Sequence, residues 1–112
     1  MQNIKQKEIW MINLGEDNIV GHEQKGNRPF FVISNDEYNQ SSKTPIGFFL
    51  STSAHKKTNR FSVETIGNQI GSINTSQIRT ISEDRFIRKI GEGTTQELNT
   101  VLETFLKEII TK

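Results

Sequence analysis

The order of its segments constrains this chain most: short β-patterned runs come first, and a single helix-periodic run comes last. Glu8 to Leu14 (EIWMINL) is rich in β-branched and aromatic residues and reads as a first strand. Gly15 opens a turn, GEDN, and the residues from about Ile19 to Asn27 read as a loop, with Gly21 and Gly26 free to take unusual backbone angles. Pro29 starts a second strand, FFVIS, because a residue without an N–H suits a strand's first position. NDEYNQSSK is a polar connection with room for a helical turn. Thr44 to Ser51 is a third strand, and Arg60 to Ile66 alternates apolar and polar as a fourth. Ile73 to Ile81 is a fifth, with Ile73, Ile78 and Ile81 as its apolar contributors, and SEDRF is one short helical turn before IRKIG.

The terminal run is an amphipathic helix. Thr94 and Glu97 have the spacing of a capping box, Thr94 as N-cap and Glu97 reaching back to its N–H. Leu98, Val101, Leu102, Phe105, Leu106 and Ile109 recur on one face, while Glu103, Lys107 and Glu108 fall off it. Strands first and one helix last predict a mainly β domain over residues 1–112, an antiparallel barrel-like sheet covered by a C-terminal helix. The 112 residues match the commonest domain size, and no internal repeat or low-complexity tract breaks them.

Composition narrows the chemistry. With 32% hydrophobic residues the core must be small. The absence of cysteine removes disulfides and thiolate metal sites, and two histidines, His22 and His55, are too few for a histidine-built metal centre. No metal or cofactor is expected. No apolar run approaches the roughly 20 residues of a membrane span, and MQNIKQKEIW lacks the apolar stretch of a secretory signal, so the expected location is cytoplasmic. The net charge of +1 announces no nucleic-acid partner, but HKKTNR gathers Lys56, Lys57 and Arg60 without an acid. That run reads either as a solvated hairpin tip or as an edge that tracks phosphates.

The stretch Gly21-His22-Glu23-Gln24-Lys25-Gly26-Asn27-Arg28-Pro29, followed by Phe30 to Ser34, resembles the signature loop and strand of the MazF/PemK toxins. Ser76 to Ile81 (SQIRTI) resembles a second block of that family, KQKEIWMINL its first strand and NDEYNQSS its following connection. Each block alone is weak; two in the right order, with matching strands and a terminal helix, are specific. The resemblance implies an SH3-like, CcdB/MazF-type barrel, a homodimer, and metal-independent, sequence-specific cleavage of single-stranded RNA. It also implies inhibition by a cognate antitoxin protein.

Cutting RNA without a metal uses the ribose 2′-OH as nucleophile and leaves a 2′,3′-cyclic phosphate. The resemblance gives Arg28 the catalytic position, where a planar, permanently charged fork can pair with phosphoryl oxygens; the alternative is a salt bridge to a nearby carboxylate. Thr52, next to Ser51 and Ser53, matches the family's catalytic hydroxyl, with β propensity as the plainer reason for it. Glu23 is either a general base or a loop-shaping acceptor of backbone N–H groups, and Gln24 beside it can orient a base or phosphate. Gln77 is a base-edge reader or a strand side chain paired across the sheet. His22 and Lys25 depart from the small residues expected there: His22 bears on which base is accepted, and Lys25 adds a phosphate contact. Ser53, Lys56 and Lys57 complete the expected RNA-binding set. The pairs Phe30/Phe31 and Phe48/Phe49 are ambiguous, since one of each must face the core. A different class stays open in the same fold: a toxin that binds DNA gyrase without catalysis, or a family member that binds RNA or antitoxin without cutting.

Overall fold

The computed structural model describes residues 3–15, 26–51, 60–67 and 71–111. In chain order these form β1 (Glu8–Asn13), β2 (Asn27–Val32), α1 (Asp36–Ser42), β3 (Ile46–Ser51), β4 (Ser62–Ile66) and β5 (Gly71–Thr80). A 3-10 turn (Glu83–Arg85), β6 (Phe86–Glu92), α2 (Thr95–Phe105) and a π-helical turn (Leu106–Ile110) follow. The strands join in one antiparallel sheet of order β4-β5-β3-β2-β1-β6. Register shifts between β1 and β6, β3 and β5, and β4 and β5 bend this sheet toward a barrel-like form. The mainly β architecture with a C-terminal helix is therefore the one the segment order implied.

Both faces of the sheet are apolar. Trp10 lies across from Phe30, and Phe30 across from Phe49; the adjacent row is Ile9, Phe31 and Phe48. Successive residues of a strand point to opposite faces, so the two rows feed two cores. On one face Ile9, Phe31, Phe48, Leu50, Val63, Ile66 and Ile73 meet Leu98 and Val101 of α2. On the other, Trp10, Ile12, Phe30, Val32, Phe49 and Phe86 cluster with Ile4. This corrects the reading of the phenylalanine pairs: both members of each pair are buried, one in each core. Between β2 and β3 the chains approach so closely that a Cβ on Gly47 would collide with the Phe31 carbonyl oxygen, which explains a glycine inside a strand.

The helix cap forms as its sequence specified. Thr94 Oγ1 accepts from the Glu97 N–H at 3.0 Å, and Glu97 Oε1 accepts from the Thr94 N–H at 2.8 Å and the Gly67 N–H at 3.3 Å. The same carboxylate thus ties the helix start to the turn after β4. The helix's far end differs from expectation. The helix widens to a π turn at Leu106, which rotates the apolar stripe away: Leu106 and Ile109 are exposed, while Glu108 turns inward and pairs with Arg60 at 3.7 Å.

Three further segments differ from their sequence reading. NDEYNQSSK holds a true helix, α1, capped by Asn35 Oδ1 accepting from the Tyr38 N–H and anchored by buried Asn39, whose amide donates to the Ile4 and Ser34 carbonyls. IRKIG belongs to a sixth strand at the sheet edge, where one neighbour suffices and charged residues are tolerated. Ile78, read as an apolar contributor of its strand, is exposed.

Candidate functional site

Arg28 stands at the start of β2, across from Ile12. Its guanidinium carbon lies 5.0 Å from the centre of the Phe49 ring, a cation–π contact. Phe49 is itself fixed: its ring meets Phe30 edge-to-face at 5.1 Å, and Phe30 meets Phe86 at 5.8 Å. The cation therefore rests on the end of a locked aromatic stack. Arg28 is half-buried, and burial holds its pKa below the ordinary guanidinium value, with the positive charge of Arg79 adding to the effect. It stays charged at any working pH. Among the described residues no carboxylate pairs with Arg28, so the salt-bridge alternative finds no support there.

The facing wall comes from β5. Opposite the short β3 segment between Phe48 and Leu50, β5 runs from Ile78 back to Ile73, so it bulges outward. Thr75 pins the bulge, its N–H and its Oγ1 both donating to the Phe61 carbonyl at 2.9 and 2.8 Å. Asn74 Oδ1 accepts from the Ser76 N–H at 3.0 Å and from Ser76 Oγ at 2.8 Å. Gln77 is exposed, and its side-chain bonds run along its own strand, to Ser76 Oγ at 3.4 Å and from Arg79 at 3.5 Å. Among the described residues its side chain has no partner on a neighbouring strand. Bulges of this kind re-aim side chains and gather near active sites.

Register sets these residues on one face. Gly47 lies across from both Val32 and Arg79. Arg28, Phe30 and Val32 alternate onto that face from β2, as do Gly47, Phe49 and Ser51 from β3. Arg28 and Ser51 occupy matching ends of neighbouring strands, each two residues beyond the Phe30–Phe49 pair. Of the residues the sequence singled out, Arg28 and Gln77 are described and fall on this surface. His22, Glu23, Gln24, Lys25, Thr52, Ser53, His55, Lys56 and Lys57 lie outside the described residues. Phe49 as the support of Arg28, and Arg79 as its electrostatic neighbour, were not identified from sequence. The signal for Arg79 was present, since it stands two positions from Gln77 and shares its side of the strand.

The model of a family described as PemK-like, MazF-like toxin of type II toxin-antitoxin system matches residues 5–109. A crystal structure of MazF (Form-I) from Deinococcus radiodurans has a TM-score of 0.79 at 19% identity, covering 99% of this chain and 100% of that one. An endoribonuclease from Mycobacterial species has a TM-score of 0.73 at 18% identity, covering 96% of this chain and 91% of that one. Another endoribonuclease from Mycobacterial species, in complex with its cognate antitoxin, has a TM-score of 0.74 at 19% identity, covering 93% and 92%. At such identities the likeness to these structures is one of fold. No curated protein matches the chain.

Proposed function

The chain belongs to the PemK-like, MazF-like toxin family of type II toxin–antitoxin systems, and from that membership we propose that it is an endoribonuclease cleaving single-stranded RNA at a short sequence. The observation that carries the reading is Arg28: a half-buried guanidinium on a fixed aromatic stack, with no carboxylate partner among the described residues, at the sheet end where β3 stops. A half-buried cation that meets no carboxylate among the described residues is stabilised by an anionic ligand, and a phosphodiester is one.

In the proposed reaction the ribose 2′-oxygen attacks phosphorus, its proton passes to a base, and the bond from phosphorus to the 5′-oxygen breaks. A proton must reach that leaving oxygen, giving a 2′,3′-cyclic phosphate and a 5′-hydroxyl. Arg28 pairs with the phosphoryl oxygens as negative charge builds on them. Thr52 is the proposed hydroxyl donor to the same phosphate, on the strength of its match to the family's catalytic hydroxyl. Glu23 is the proposed base, with Gln24, His22, Lys25, Ser53, Lys56, Lys57 and Gln77 as RNA contacts. A cognate antitoxin and a second copy of the chain are the proposed protein partners.

The test is incubation of the purified protein with a long RNA in EDTA, with sequencing of the ends. The expected result is recurrent cuts at one short sequence with cyclic phosphate termini. Arg28→Ala should lose about 10²–10³ in rate, the size of one transition-state donor, with its circular dichroism unchanged. A folded wild-type protein that cuts no RNA would overturn the reading in favour of a toxin that acts by binding alone.

A further inference from the structure

The second guanidinium on this face has no part in the chemistry above, yet its position is not that of an ordinary surface arginine. Arg79, on β5, lies across from Gly47 of β3, so its cross-strand neighbour there carries no side chain, and the close approach of β2 and β3 forbids one. Toward β3 its stem therefore meets no side chain from the residue directly opposite. Its side-chain hydrogen bond among the described residues is a long one, 3.5 Å, to Gln77 Oε1. A guanidinium has five N–H donors, and no described carboxylate pairs with this one.

The two cations repel each other, and no carboxylate among the described residues offsets this. Their spacing says what could. Arg79 is level with Val32 through Gly47, and Arg28 stands four residues from Val32 along β2. Strand geometry separates their Cα atoms by roughly 13 Å along the strands and about 10 Å across two strand spacings. Their long side chains bring the charge centres closer than the backbones, near enough for Arg79 to lower the Arg28 pKa, yet they come from separate strands, so each can address its own anion. A polyanion with regularly spaced charges satisfies both, and the strand proposed above as substrate is one.

We propose that Arg79 is a second RNA-phosphate contact, gripping a phosphate other than the scissile one and setting the strand's path across the Phe49 ledge to Arg28. This rests on the endoribonuclease reading. Arg79 contributes binding and register, while Arg28 alone of the two touches the reacting phosphorus.

The test uses Arg79→Gln and Arg79→Lys in the full chain, with two substrates. The first is a 2′-O-methyl version of an RNA that the wild type cleaves, which can bind but cannot react. Its affinity is followed from about 50 to about 200 mM salt. Arg79→Gln should bind roughly three- to tenfold more weakly at the low end, and its slope of log K against log salt should shrink by about 0.7, one phosphate's share for a single strand. Arg79→Lys should restore most of the slope, since it keeps the charge and loses only the fork. With the cleavable RNA, the loss in Arg79→Gln should fall on KM, with kcat kept within about twofold. An unchanged slope and KM in a folded Arg79→Gln protein would overturn the proposal while leaving the nuclease reading intact, and so would a fall in kcat alone. A wild type that neither binds nor cleaves RNA would instead remove the reading beneath it.

Discussion

Phe49→Leu separates the support of Arg28 from mere packing. The substitution keeps an apolar side chain of reduced volume on β3 but removes the ring beneath the guanidinium. The edge-to-face contact with Phe30 is worth about 0.5–1.5 kcal/mol and a half-buried cation–π contact about 0.5–2 kcal/mol. A change of shape in a nearly buried position adds about 1 kcal/mol. Together these come to about 3 kcal/mol, and for a domain of this size Tm should fall by roughly 12 °C. The functional loss should be larger than that number suggests. An Arg28 released from its platform is misplaced by about an ångström, which lowers kcat/KM by up to about 100-fold. The control is Phe31→Leu, in the same strand pair but on the opposite face, under α2. It should lower Tm comparably and leave kcat/KM within about threefold when assayed well below its melting point. RNA cleavage rates and thermal melts of both variants decide the matter. If Phe49→Leu melts early but cleaves like Phe31→Leu, the aromatic stack serves stability only, and Arg28 is positioned by something else.

Removing the cap of α2 with Thr94→Ala should cost about 1 kcal/mol, lowering Tm by roughly 4 °C in a calorimetric scan without altering cleavage. A loss of activity at temperatures where the variant is folded would show that the helix start bears on the site. Lys89 bridges Glu92 at 3.0 Å and Glu8 at 3.2 Å; its pKa is raised, chiefly by the hydrogen bond to Glu92, and that bond in turn lowers the Glu92 pKa. A lowered carboxylate pKa stabilises above its unfolded value and is lost as pH falls through the folded one, while the raised lysine pKa stabilises until pH rises through its own. The Tm gap between wild type and Glu92→Gln should therefore be small near neutral pH, shrink with salt, and close below about pH 4. A gap that persists in acid would mean that Glu92 acts through something other than its charge.

What the sequence disclosed and what it withheld follow from the range of the interactions. The capping box of α2 was legible because Thr94 and Glu97 are three residues apart and satisfy each other locally. The π turn was not, because it turns Glu108 inward, where its partners include Arg60, far away in the chain. β6 escaped notice for a similar reason: an edge strand presents charged residues, and Arg88 and Lys89 weaken its alternation. Phe48 and Phe49 could not be told apart without the register that assigns them to different cores, since a shift by one residue exchanges the faces. For the candidate site, Arg28 could be found from its motif, but its platform is made by residues of two other strands and its electrostatic neighbour by a third.

The placement of Arg28 follows from how β2 leaves the core. Along Asn27–Val32 burial rises from exposed through half-buried to fully buried, so one six-residue strand crosses the whole gradient from water to core. A cation further along would be fully desolvated without a counter-charge, at a cost of several kcal/mol. One at Asn27 would be solvated and screened, its pull on a phosphate reduced toward that in bulk water. Position 28 lies between these limits and on the face that the Phe30–Phe49 pair defines, so a ring can underlie it. Pro29 helps to hold it there: it donates no hydrogen bond and fixes its own φ, and its ring biases the preceding residue toward extended backbone. The R-P pair is thus a backbone device whatever chemistry Arg28 performs, and Pro29→Ala should loosen Arg28 without touching its charge.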